Sequence, residues 1–135
     1  MEGDGFQGRR GQTLVELALL MPFLLWICMG IVDFGRIYYY DNIAINAARS
    51  GARVAADSTK FDTDVQAAIS ADIAGRLSVV SVVINPTAIS PHRRTPGDNV
   101  TVTVTYRFTT ITPLIGRLIG NSITVSRSAT MTVIY

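Results

Sequence analysis

From Leu17 to Val32 the chain reads LALLMPFLLWICMGIV, sixteen residues without a charge. Adding Leu14 and Val15 extends the run to 19 residues, interrupted only by Glu16, close to the length that crosses bilayer hydrocarbon. A chain of 135 residues has room for one domain and one anchor. Too little protein remains beyond the run to enclose it as a soluble core helix, which is the first rival reading. A cleavable export signal, with Arg9 and Arg10 as its basic start or as a twin-arginine pair, is the second. Against it, Met29-Gly30-Ile31-Val32 leads straight into Asp33 with no small-x-small cleavage site. The sequence therefore predicts a single-pass anchor near the N-terminus.

Composition agrees and excludes several classes. The hydrophobic fraction of 48% and mean hydropathy of +0.32 are high for a soluble domain, and much of the excess lies in this run. A net charge of +2, spread along the chain, makes no case for nucleic-acid binding. With one cysteine, Cys28, inside the run, there can be no intrachain disulfide and no cysteine metal site. The single histidine, His92, stands in a Pro/Arg-rich stretch. Asp62, Asp64 and Asp72 have no nucleophile, metal ligand or phosphate loop beside them in the pattern, so neither catalysis nor a cofactor is expected.

Two residues of the run are costly in lipid. Pro22 frees a backbone carbonyl and predicts a kink or loosened turn between Ala18 and Pro22. A carboxylate at the hydrocarbon edge, Glu16, costs about a few kcal/mol on insertion scales, so it either snorkels to the headgroups or meets a partner cation.

The stretch Arg9-Arg10-Gly11-Gln12-Thr13-Leu14-Val15-Glu16-Leu17-Ala18 resembles the leader and cleavage junction of type IV prepilin-like proteins. The segment from Gly11 to Pro22, then Gly35-Arg36-Ile37-Tyr38, then Asn46-Ala47-Ala48-Arg49-Ser50-Gly51-Ala52-Arg53-Val54-Ala55-Ala56, resembles TadE-like proteins more specifically. These are minor pseudopilins of the tight-adherence (Flp pilus) system. The resemblance implies cleavage by a prepilin peptidase between Gly11 and Gln12, which leaves Glu16 at the fifth position of the mature chain. The new ammonium on Gln12 would offset the glutamate of a neighbouring subunit. Gln12 stands where many type IV pilins have phenylalanine. The implied partners are the peptidase, other pilus or pseudopilin subunits, inner-membrane assembly proteins and membrane lipid. The implied placement is a bacterial inner membrane, with the N-terminus cytoplasmic and the C-terminal part external. Charge alone does not decide orientation, because Arg36, Arg49 and Arg53 follow the run as Arg9 and Arg10 precede it.

Beyond Val32 the helical pattern continues. Small residues recur every four positions, Ala44, Ala48, Ala52 and Ala56 on one line and Ala47, Gly51 and Ala55 on the next, which lets a second element approach the helix closely. Leu14 to Ala56 reads as one helix of roughly 65 Å, with Gly30 and Gly35 as weak points. Pro22, Ala44, Ala48, Gly51 and Ala52 are its candidate packing residues. Arg49 and Arg53 suit the helix dipole, with a subunit contact as the alternative. The segments expected are a leader at 1–11, the membrane helix at 12–32, its extension at 33–57 and an external head at 58–135.

Asp57-Ser58-Thr59-Lys60 breaks the pattern, and a second helix is expected from Asp62 or Thr63, either of which can cap it. Val65, Ala68, Ile69, Ile73 and Leu77 form its apolar stripe, and Gly75 stands near its end. Val79–Ile84 is a β-branched run. Pro86, Pro91, Pro96 and Gly97 mark a loop whose His92-Arg93-Arg94 centre reads as solvated, or as a contact for anionic lipid or sugar. Asn99–Thr109 and Ile123–Tyr135 alternate apolar and polar residues, the signature of strands with one buried face. Between them, Thr112–Gly120 reads as a short helical turn. The expected fold is α+β and pilin-like, a long N-terminal helix with a second helix on a three-stranded antiparallel sheet.

Three functions remain open: a processed pseudopilin-like assembly component, an uncut membrane-anchored binding module, and an exported soluble domain.

Overall fold

The computed structural model describes residues 5–88, 93–113, 116–117 and 120–134, with side chains from Gly11 onward. His92, Tyr135, and Leu114, Ile115, Leu118 and Ile119 of the expected helical turn lie outside the described residues. The order of elements is α1 (Gly5–Ala55), α2 (Asp62–Ile73), β1 (Val79–Asn85), β2 (Asn99–Thr109) and β3 (Ser122–Thr132). The strands form one antiparallel sheet in the order β1-β2-β3. This is the α+β arrangement expected.

Helix α1 has 51 residues and, at about 1.5 Å per residue, is roughly 76 Å long. It remains α-helical through Pro22, Gly30 and Gly35 and starts upstream of the expected Leu14. It has two regimes. From Gly11 to Met29 every side chain is exposed, and an 18-residue window has mean hydropathy 2.3 with none of it buried. From Ile43 onward one face disappears into the core: Ala44, Ala47, Ala48, Ala52 and Ala55 are all fully buried.

The small-residue lines explain that burial. A Cβ on Gly51 would stand 2.7 Å from Ile69 of α2 and 3.2 Å from Val102 of β2. Three elements therefore converge where α1 has no side chain. Against this seat pack Val100, Val102, Val104, Tyr106 and Phe108, the alternating inner face of β2, all at 0–1% exposure. Each such side chain contributes about 1.5–3 kcal/mol by leaving water. The opposite sheet face is wet and hydroxyl-rich, with Thr101 bonded to Thr130 at 2.8 Å and Thr105 to Ser126 at 2.9 Å.

Three expectations need correction. Neither Asp62 nor Thr63 caps α2. Phe61 occupies the N-cap, and Asp64 reaches back to accept its N–H at 3.0 Å, while Asp62 accepts the Ala88 N–H at 3.0 Å and pairs with Arg94. Helix α2 ends at Ile73, because Ala74 and Gly75 both turn left-handed (φ 44° and 73°), so Leu77 is buried from beyond the helix. Strand β3 stops at Thr132, since the next N–H groups bond elsewhere, Val133 to Asp98 O at 2.8 Å and Ile134 to Ala56 O at 2.9 Å. That last bond ties the chain's tail to the end of α1.

Candidate functional site

The exposed half of α1 and the ring of contacts where it enters the head form the candidate site. At its lower end Gly11 is exposed in helical backbone, and a Cβ there would meet nothing within 4 Å. Gln12 donates its side-chain amide to Glu16 at 3.3 Å, a one-turn contact. Pro22 is exposed, as are Leu19, Phe23 and Leu25, at 81%, 61% and 59%. Among the described residues nothing encloses this stretch, which fits a single-pass membrane anchor. The packing residues separate accordingly: Ala44, Ala48, Gly51 and Ala52 are buried in the head, whereas Pro22 stands on the exposed helix.

Sequence reasoning passed over Asp33, using it only as the end of the apolar run. Its carboxylate is 2% exposed and accepts the Ile111 N–H at 3.1 Å on both oxygens and the Thr112 N–H at 2.8 Å. Arg36, one turn on, lies 3.3 Å from Asp33 and donates to Thr109 O at 3.5 Å. Its guanidinium also stands over the rings of Phe108, at 5.3 Å, and Tyr40, at 5.7 Å. Together these residues fasten the start of the β2–β3 connection to the helix where it leaves the apolar run. The one sequence signal was an acid and a base three residues apart directly after that run.

Burial alone would push the Asp33 pKa up. Hydrogen bonding from Thr112 and Ile111, with the Arg36 charge, outweighs it and holds the carboxyl below its ordinary 3.8. A lowered carboxyl stabilises the fold above its unfolded pKa and loses that contribution as pH falls through the folded one. As pH falls below 3.8 and through the lowered value, the connection is therefore expected to loosen from α1. Hydrogen exchange of the Ile111 and Thr112 amides measures this, and Asp33→Asn should remove about 2 kcal/mol of protection and the acid dependence with it. Unchanged protection in that variant would contradict the role assigned to the carboxylate.

Higher on α1, Asp41 pairs with Arg127 of β3 at 2.6 Å and accepts the Tyr106 hydroxyl at 3.4 Å. Burial first, then the Asp41 charge, raises the Tyr106 pKa, so the phenol stays a neutral donor. At the far end of the head Arg94 is a second residue the sequence reading misplaced. It is 3% exposed, not solvated, and its guanidinium pairs with Asp62. It also donates to Pro86 O at 3.1 Å and to Ala55 O and Lys60 O at 3.4 Å. Its neighbour Arg93 stays exposed, over the ring of Phe61 at 5.2 Å.

Among the described residues no group of three or more His, Cys, Asp and Glu side chains could hold a metal ion, and Cys28 is exposed on the apolar helix. No curated protein and no solved structure gives a significant match to the chain. A family model does match, described as TadE-like protein, over residues 11–53. That interval contains the whole apolar run, Asp33, Arg36 and the small-residue lines as far as Ala52. Over residues 11–53, from the exposed anchor into the buried spine of the head, this chain carries a TadE-like segment.

Proposed function

We propose that this protein is a minor pseudopilin-like component for assembly of a tight-adherence (Flp) pilus, processed by a prepilin peptidase after Gly11. The carrying observation is one continuous helix, largely exposed and apolar from Leu14 to Val32 and the packing spine of the head above Asp33, with a TadE-like segment over residues 11–53. An element of this form can sit in lipid as an anchor and later pack against similar helices without refolding. In this reading residues 12–32 lie in the bacterial inner membrane, with the N-terminus cytoplasmic and the head external. It acts through other pilus subunits and inner-membrane assembly proteins rather than by catalysis.

Processing puts a demand on the junction. Helix α1 runs through Gly11 to Gly5, so a peptidase must unwind this turn to reach an extended backbone. Glycine lowers that cost by about 1 kcal/mol relative to alanine. Intact mass after co-expression with a prepilin peptidase is expected to begin at Gln12, and Gly11→Phe should leave the chain uncut. Mature protein from Gly11→Phe would mean the junction lies elsewhere. The unbroken helix across Gly11 also favours the second reading, an uncut envelope binding module, which a persistent Met1 terminus would support.

After the cut the Gln12 ammonium stands beside the exposed Glu16, free to face a neighbour's carboxylate. Glu16→Ala should insert normally in the membrane yet reduce piliation about tenfold or more, for a charge pair in a low-dielectric bundle contributing some 1.4 kcal/mol or above. Full piliation of that variant would sink the charge pairing.

A further inference from the structure

The connection between β2 and β3 does not stay with the head. Held to α1 by Asp33, its described residues Ile111, Thr112, Pro113 and Arg117 lie alongside the apolar part of the helix. Ile111 lines a cleft of about 180 Å³ with Leu25, Cys28, Met29 and Val32. Thr112, Pro113 and Arg117 line a second, of about 200 Å³, with Trp26.

Heights along the helix give this position its meaning. Trp26 lies seven residues before Asp33, about 10 Å along the axis. Leu14–Val32 spans about 28 Å, all that is available for a hydrocarbon layer of about 30 Å. A bilayer seated wholly below the connection would keep only Leu14–Leu25, about 18 Å, and would leave Trp26 to Val32 in water. The connection and the outer edge of the bilayer must therefore overlap in height.

Its residues suit that edge. Ile111 is 56% exposed, and Pro113 and Arg117 line the cleft beside Trp26. Tryptophan favours the membrane interface, and arginine can bury its stem while its head reaches phosphate. A second, independent feature is the backbone. Ile111 and Thr112 give their N–H groups to Asp33, Gly116 bonds to Thr112 O at 3.0 Å, and Thr110 to Asn121 O at 3.2 Å. These four backbone N–H groups are paired within the protein, which lowers the cost of bringing this part of the chain against a low-polarity layer.

We propose that the described residues of the β2–β3 connection, Ile111, Thr112, Pro113 and Arg117, form a second membrane contact, seated at the headgroup–acyl boundary. Ile111 meets the acyl side, and Arg117, its stem beside Trp26, extends its guanidinium outward to the lipid phosphates. With α1 it gives the head two points of attachment, which fixes its rotation about the helix axis. The inference rests on the anchor reading, and the test separates the two.

The full chain, as Cys28→Ser with one new cysteine at Ile111 or at Ser128 on the wet sheet face, is labelled with a polarity-sensitive fluorophore. It is reconstituted in phosphatidylcholine–phosphatidylglycerol vesicles carrying a nitroxide near the headgroup. The sole tryptophan, Trp26, reports the anchor through brominated lipid. Expected are quenching of Trp26, quenching at position 111 several-fold above that at 128, and a clear reduction at 111 with Arg117→Glu. Quenched Trp26 with an unquenched 111 overturns the second contact and leaves the anchor. Equal quenching at 111 and 128 means the whole head lies on lipid, and a blue shift at 111 without quenching means another protein copy covers it; either overturns the proposal. An unquenched Trp26 overturns the anchor reading itself.

Discussion

Arg94→Ala is expected to destabilise the head by about 3–5 kcal/mol, the typical loss when one member of a buried ion pair is removed. The pair to Asp62 is only part of the reason. The same guanidinium satisfies carbonyls at the end of α1 (Ala55), in the α1–α2 turn (Lys60) and before β2 (Pro86), so one truncation orphans acceptors in three segments. Asp62 keeps the Ala88 N–H at 3.0 Å but loses its countercharge. Urea unfolding of the full chain in detergent, followed by near-ultraviolet dichroism of the head's tyrosines, gives the measurement. Arg94→Met with Asp62→Asn should recover part of the loss, because no charge is then left buried alone. A loss below about 1 kcal/mol for Arg94→Ala would place the residue among ordinary surface arginines.

Gly51→Leu is expected to follow closely, at about 2–3 kcal/mol. A side chain here gains roughly 1 kcal/mol of helix propensity over glycine, so the clash must exceed that gain. It does so because Ile69 and Val102 meet the Cβ position from two sides, and both are buried with nowhere to retreat. Gly51→Ala, with one atom added, should fall well short of that loss. Pairing Gly51→Leu with Ile69→Ala should restore much of the stability if the contact is the cause. The same unfolding experiment decides it, and a neutral Gly51→Leu would mean that α2 does not sit against α1 as described. Both substitutions also bear on function, since a head that detaches from its spine cannot be carried by the anchor.

The elements themselves were legible because their signals are local. An uncharged apolar run specifies a membrane-length helix without reference to the rest of the chain. Alternation from Asn99 to Thr109 marked β2 at both ends, because a half-buried strand repeats every two residues. Small residues at four-residue spacing predicted a close approach on α1, and Ala44, Ala48, Gly51 and Ala52 are all buried there. Where local signals competed, the reading slipped. Asp62 had the right chemistry to cap α2, but a distant arginine and the Ala88 N–H hold it in the structure.

By itself, then, the sequence determined the long apolar helix, the second helix, the three strands and the face on which α1 would be approached. All of these follow from periodicity and hydropathy within short windows. Only the tertiary structure decided that Asp33 receives backbone donors 78 and 79 residues away, that Arg94 is a buried hub rather than a solvated loop residue, and that the β2–β3 connection lies against the anchor. Contacts between groups so far apart in the chain leave no period to read. They exist because the sheet, once packed on α1, brings its connection down to the level of Asp33, where a buried carboxylate must find donors.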